Sequence, residues 1–362
     1  MELFSLEALD ARSGDCLLIH YGVNEPGLML IDGGFASTYD NVLRPRLMEL
    51  RDDRVNVEEP LTIDQLVVSH LDQDHIGGIE RLFQDLRRVV QEGLEETFRI
   101  RGLWANSFDD SAAAAIGTSA PAEIEERVAV ARPQSVSQAR VVRDIANLLG
   151  VGGNPPFNGL VIGPNEIDLG NGLIVTVVAP TQGRLDALRT QWLNTPIDRS
   201  EQGAAEAAAY LDTAVPNLSS IVMHLRFQGK TMLLTGDGRG DDTLIGLEQA
   251  GLFDANGTCA VDVLKLPHHG SDRNIDHDYF ERIVARHYVI SADGRFDNPS
   301  RETFRLLTET QGSREYEICL TSSANTDFFA SDHADNDRNY QVRIRADAER
   351  SITVHVGSID ND

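Results

Sequence analysis

The chain has 362 residues, with 57 Asp or Glu against 32 Lys or Arg, a formal net charge of −25 and 41% hydrophobic residues. That much apolar material excludes general disorder and collagen-like repetition. The acidity excludes a protein that coats nucleic acid through clustered cations.

In chain order, Leu6 to Tyr21 alternates and then becomes continuously apolar, and Leu28 to Asp32 closes on Gly33-Gly34. The two runs read as a hairpin of buried strands with Asp32 at a strand end. Residues 64–69 predict a short strand that stops at His70, and HLDQDHIGG leads into a helix from Ile79 to Glu96. From Ser107 to Gly153 the Ala-rich, charged sequence predicts helices at 122–131 and 136–149, punctuated by NPPFNG at 154–159. About 84–160 therefore reads as an insertion or helical layer. Strands follow at 160–162, 167–168, 173–178, 219–227 and 231–235, with helix and loop over 184–212, including GAAEAAAY. After Asp237 the pattern predicts helix 241–251, strand 261–266, helix 276–286, strand 287–292, helix 300–311 and strand 316–321. A last strand at 352–357 precedes a frayed acidic tail to 362. Strands alternating with helices assign the α/β class, and the length admits one large domain or two.

The densest chemistry lies in SHLDQDHIGG. His70, Asp72, Asp74 and His75 offer imidazole and carboxylate groups on one loop leaving a buried strand. Donors at that density suit one or two divalent ions, which replace the hydrogen bonds that desolvated groups lack. The competing reading is a salt-bridge cluster in which Asp74 caps the helix after Gly77-Gly78. Two further strand ends shift the balance: LLTGDG carries Asp237 and LKLPHHGS carries His268 and His269. Polar residues that recur at strand ends mark one rim of a sheet, where open α/β sheets build their sites. No GxSxG, GxGxxG or GxxxxGK[ST] supports a serine hydrolase, dinucleotide or ATPase reading, and DNDR at 335–338 lacks calcium-loop spacing. Cys16, Cys259 and Cys319 are distant and odd in number, so they read as idle thiols of a reducing compartment. No targeting segment opens the sequence and no apolar run approaches the ~18 residues of a membrane span. The expectation is a cytoplasmic protein with no membrane partner.

The ordered set RSGDCLLIHYG, LMLIDGG, SHLDQDHIGG, LLTGDG, LKLPHHGS and ISADGRFDNPSRETF resembles the metallo-β-lactamase fold hydrolases. Among them it looks most like the hydrolase domain of the competence DNA-uptake protein ComEC and its stand-alone relatives. The resemblance runs from about residue 6 to residue 305 and implies a single domain over 1–362, a four-layer αββα sandwich with a helical insertion, and a two-metal site at the sheet edge. Carried over residue by residue, it makes Asp32 the structural carboxylate that orients the ligand loop. It gives His70 and Asp72 to a first metal, Asp74 and His75 to a second, Asp237 to both, and His268 to the second, with His269 as its competitor. The sequence departs from the wider family at Asp72, where a histidine is usual, and at Asn217, which stands where a mid-chain histidine ligand is expected. His224 reads as an ordinary strand position rather than the missing ligand. Trading imidazoles for carboxylate and amide favours Mn²⁺ or Mg²⁺, with Zn²⁺ as the alternative.

The function implied is a phosphodiesterase, foremost a nuclease acting on DNA, RNA or nucleotides, within a defence or conflict system. Asp237 or Asp74 would orient the attacking water, and Lys265 would supply positive charge near the transition state. Ser271 and Asn298 would contact phosphate, against the competing reading of both as turn formers. The net charge of −25 points to single strands, small nucleotides or docking on a basic protein partner. Two alternatives stand beside this: hydrolysis of another ester class (phosphocholine ester, lactone or thioester), and a degenerate binding module without catalysis.

Overall fold

The computed structural model describes residues 3–53, 59–106, 133–157, 159–184, 186, 220–335 and 338–356. The chain opens as an antiparallel meander of β1 (Leu3–Leu9), β2 (Leu17–Gly22) and β3 (Gly27–Ile31). Helix α1 (Arg44–Asp52) and the short β4 (Leu61–Ile63) lead to β5 (Gln65–Val68) and the long helix α2 (Gln73–Glu92). Then come β6 (Phe98–Ile100), which pairs with β4, β7 (Leu103–Ala105) and helix α3 (Pro133–Leu148). The second half supplies β8 (Asn165–Asp168), β9 (Ile174–Ala179), β10 (Val222–Phe227) and β11 (Lys230–Leu234). It continues with helix α4 (Gly240–Gln249), β12 (Cys259–Lys265), helix α5 (His277–Arg282), β13 (Ile283–Ile290) and helix α6 (Arg301–Gln311). The last elements are β14 (Tyr316–Leu320), helix α7 (Asp327–Asp335), β15 (Tyr340–Ile344) and β16 (Ser351–His355).

Two sheets result. The first has the order β16-β1-β2-β3-β5-β7 and the second β15-β14-β13-β12-β11-β10-β9-β8. Alternation along each strand explains why they stack. In β2, Leu17, Ile19 and Tyr21 point into the core between the sheets, while Leu18 joins the outer core. The inner core takes Phe4, Leu6, Met29 and Val67 from one sheet and Val175, Leu225, Leu234 and Val263 from the other. The first sheet's outer face is covered by α1, α2 and α3, and the second's by α4, α5, α6 and α7. This is the expected αββα order. Of the segment expected as an insertion or helical layer, β7 is the edge strand of the first sheet and α3 packs its Val142, Ile145 and Ala146 into the same core as α2. Among the described residues no helix is long and apolar enough to cross a membrane. All three cysteines are buried and free.

Three boundaries differ from expectation. Helix α2 starts at Gln73, not Ile79, and ends at Glu92 on Gly93, whose left-handed φ of 63° closes the C-terminus. Gly77 and Gly78 are therefore inside the helix rather than in a turn before it. Helix α5 stops at Arg282, and Ile283 to Arg286, expected as helix, belong to β13, where Ile283 and Val284 pair in parallel with Cys259 and Ala260. β-Branched side chains suit that buried strand better than a helix end. No strand forms at 160–162; Val161 is held instead by the side chain of Asn106, at 2.8 Å on its N–H and 2.9 Å on its carbonyl. The helix expected at 122–131, most of the segment 184–212 with GAAEAAAY, and the tail from 358 lie outside the described residues.

Candidate metal centre

β3, β5, β11, β12 and β13 run toward one rim, where their carboxyl-end loops meet. Asp32 follows β3, fully buried with a left-handed φ of 58°. Its Oδ1 accepts from the Ser69 N–H at 2.7 Å, and its Oδ2 accepts from the Ser69 hydroxyl at 2.6 Å and lies 2.8 Å from His75 Nδ1. The carboxylate thus fixes both the loop after β5 and the ring of His75. Asp72 is the N-cap of α2 and Asp74 its second residue, so the expected cap at Asp74 sits two residues earlier. Glycines allow the tight seating. A Cβ on Gly78 would lie 2.0 Å from the Gly33 carbonyl oxygen, and one on Gly14 2.0 Å from that of Asp74.

Asp237, past the end of β11, is 3% exposed and faces imidazoles on both oxygens. Its Oδ2 lies 3.6 Å from His70 Nε2 and 3.7 Å from His268 Nε2, with Asp72 Oδ2 3.8 Å from the same His70 nitrogen. Its Oδ1 lies 3.4 Å from His75 Nε2 and 3.7 Å from His269 Nε2, with Asp74 Oδ2 3.6 Å from that His269 nitrogen. His268 and His269 therefore divide between the two oxygens, and His268 lies on the side of His70 and Asp72 rather than with Asp74 and His75. Adjacent residues reach opposite oxygens because the backbone is left-handed at His268 (φ 48°), His269 (φ 56°) and Gly270 (φ 77°), a strain that persists at functional sites. The outward nitrogens are fixed from behind: His268 Nδ1 meets Asn274 Oδ1 at 2.8 Å, and His269 Nδ1 donates to the Ser291 carbonyl at 3.1 Å.

Four buried atoms aimed at this space, His70 Nε2, His75 Nε2, His269 Nε2 and Asp237 Oδ1, have no hydrogen-bond partner. Orphaned donors and acceptors at a common focus are costly unless something else binds there. The residues therefore fit divalent cations. Charge coupling points the same way. Burial pushes the Asp237 carboxyl up, but the four imidazoles led by His75 and His269 hold it well below the usual carboxylate range. Burial likewise pulls His75 down, yet the carboxylates of Asp237 and Asp32 raise it well above an ordinary histidine, while burial and the neighbouring His75 push His70 far down.

Asp15 was not singled out in the sequence. It is fully buried, its Oδ1 is a fifth orphaned atom, and it groups with His75, Asp237 and His269 with one ligand atom of each within 4.8 Å of the others. The one available signal was a Gly-Asp pair interrupting an apolar run in RSGDC. Lys265, expected to supply positive charge near the transition state, is fully buried. Its ammonium donates to Asp15 Oδ2 at 2.8 Å and to the Leu266 carbonyl at 3.0 Å. A buried cation needs such a partner, so its charge is directed at Asp15. Ser271 is buried in the turn after His269, its N–H on the His268 carbonyl, and Asn298 closes a turn through its carbonyl and the Gly294 N–H. His224 lies in β10 opposite Thr176 and Leu233, apart from the site. Asn217 lies outside the described residues.

Residues 9–146 match the family model of the metallo-beta-lactamase superfamily. No curated protein matches the chain. Among solved structures, a candidate metal-dependent hydrolase from Parabacteroides distasonis ATCC 8503 aligns over 94% of this chain and 98% of its own at 9% identity and a TM-score of 0.35. A candidate Zn-dependent hydrolase of the metallo-beta-lactamase superfamily from Thermotoga maritima aligns over 94% and 100% at 9% identity and a TM-score of 0.31. At those scores neither likeness bears on the site. The family match thus covers the first sheet's early strands and helix α2 with His70 to His75, while Asp237, His268 and His269 lie beyond the matched residues.

Proposed function

We propose that the protein is a two-metal phosphodiesterase that cleaves nucleic acid or nucleotides. The observation that carries this is the division of Asp237: each oxygen faces two imidazoles, and each side has one further carboxylate. On this reading His70, Asp72 and His268 would hold one cation, Asp74, His75 and His269 would hold the other, and Asp237 would contribute to both. A bound pair of divalent cations supplies Lewis acidity toward a phosphoryl oxygen and a water made nucleophilic at neutral pH. The chain's own part is orientation. Asp32 holds His75 Nδ1 and the Ser291 carbonyl holds His269 Nδ1, which leaves both Nε2 atoms directed into the site. Asp74, a quarter exposed at the helix start, is the carboxylate assigned to take the proton of the attacking water. Two nitrogens and two carboxylates on each side suit Mn²⁺, with Mg²⁺ and Zn²⁺ as competitors.

The test uses metal-stripped protein reloaded with Mn²⁺, Mg²⁺ or Zn²⁺ and offered bis-p-nitrophenyl phosphate, single-stranded DNA, a lactone and a thioester. Phosphodiester cleavage that Asp74→Ala and His75→Ala abolish supports the reading. Faster turnover of either carbon ester, or cleavage that survives both substitutions, overturns it.

A further inference from the structure

Among the described residues, four arginines have no side-chain partner: Arg12, Arg87, Arg273 and Arg295. In a chain with 57 acidic residues that is unexpected, since every other described arginine has a partner, most often a carboxylate, a carbonyl or a ring. Arg87 lies on the exposed flank of α2. The other three sit in loops that build the metal centre. Arg12 comes two residues before Gly14, which is packed against Asp74. Arg273 precedes Asn274, whose side chain holds His268 Nδ1 and donates to the Asp237 carbonyl at 3.2 Å. Arg295 belongs to a loop tied to the site at both ends. At its start the Ser291 carbonyl takes His269 Nδ1, and at its finish Pro299 packs on Gly270, whose carbonyl accepts from the Ser300 N–H at 3.0 Å.

Beside Arg295, Phe296 is 82% exposed, the most exposed of the large hydrophobic side chains. Its φ is 57° and that of Asp297 62°, a backbone region that a bulky residue enters only under constraint. Only two residues separate it from Pro299, so its Cα stands within roughly 11 Å of that anchor. A bare phenyl ring in water next to an uncommitted guanidinium, on a strained loop at the rim, lacks a folding rationale. Together they match one ligand chemistry. The flat fork of a guanidinium grips a phosphate, and an exposed ring stacks on a planar base that is free of its own stack.

We propose that Arg295 and Phe296, with Arg273 and Arg12, form a recognition rim for a single-stranded nucleotide segment, binding a phosphate and the base next to it. This rests on the phosphodiesterase reading and names the form of substrate. It also answers the overall charge: three of the four arginines left without a partner among the described residues belong to the loops where a polyanion must land.

The test measures kcat and KM of Mn²⁺-loaded protein on a single-stranded thymidine octamer and on an abasic octamer with the same phosphates. Phe296→Ala raises KM on the thymidine octamer about tenfold more than on the abasic one. Arg295→Gln and Arg273→Gln each raise KM on both by about fivefold, more than they lower kcat, and the effect fades as salt rises. Equal shifts on both octamers for Phe296→Ala, or arginine variants with unaltered KM, overturn the rim while leaving phosphodiester cleavage intact. Turnover of a carbon ester with neither octamer cleaved overturns the phosphodiesterase reading, and the rim falls with it.

Discussion

The two sides of Asp237 are matched in donors but not in depth. On the Oδ1 side both imidazoles, His75 and His269, have side chains no more than 5% exposed, and behind them stand the buried Asp32 and the Asp15–Lys265 pair. On the Oδ2 side His70 is buried but the His268 side chain is 31% exposed, and its support is the amide of Asn274. A cavity braced by buried carboxylates is rigid and dry, whereas one open to solvent exchanges its contents more readily. The difference teaches that one half of the donor cluster is built into the core and the other into the rim.

Removing what both sides share gives the largest effect. Asp237→Ala is expected to lower metal content from two ions toward none and activity by about 10³-fold or more, read by elemental analysis and phosphodiester turnover. Next comes the brace of the deep side. Lys265→Met leaves Asp15 buried without its cation, and a loss of about 3–5 kcal/mol in denaturant unfolding is expected. The double variant Lys265→Met with Asp15→Asn should recover part of it, and no recovery would mean that the pair acts through packing alone.

Glu7 offers a control remote from both sides. Burial alone would raise it, but hydrogen bonds from His20, Arg46 and Ser351 hold it down at about 2. A carboxylate lowered on folding contributes stability above its unfolded value near 4.5 and loses it as pH falls through about 2. Wild-type stability should therefore fall across that window by at most ~3 kcal/mol. Glu7→Gln should lack this acid limb, in urea melts between pH 5 and 2, while retaining two ions at neutral pH. The smallest effect belongs to the open side. His268→Ala is expected to weaken one ion by about 10–100-fold and leave the other in place, seen as two binding steps becoming one in calorimetric titration. Loss of both ions together would break the comparison.

Much of this was legible because strand-end polar residues need a reason. His70, Asp72, Asp74, His75 and Asp237 stand directly after apolar runs, and the structure brings them together. What was not legible depended on contacts far along the chain. Gly77-Gly78 read as punctuation because nothing nearby says that Gly33 will press against them. Asp15 passed unnoticed because its partner Lys265 is 250 positions away. The division of labour between His268 and His269 follows from two successive left-handed φ angles, which spacing does not encode. The burial of Lys265 was hidden for a related reason: a lysine at a strand end is solvated unless a carboxylate from another layer closes over it.

The bond between Lys265 and Asp15 ties the loop between β1 and β2 to the end of β12, with Asp237 and the histidine pair on either side of that strand. A ribosome that has delivered the chain only as far as β7 has made His70 and His75 without Asp237, the carboxylate that faces them both. The donor cluster therefore stays incomplete in every nascent chain until β12 and the histidine pair that follows it have been translated.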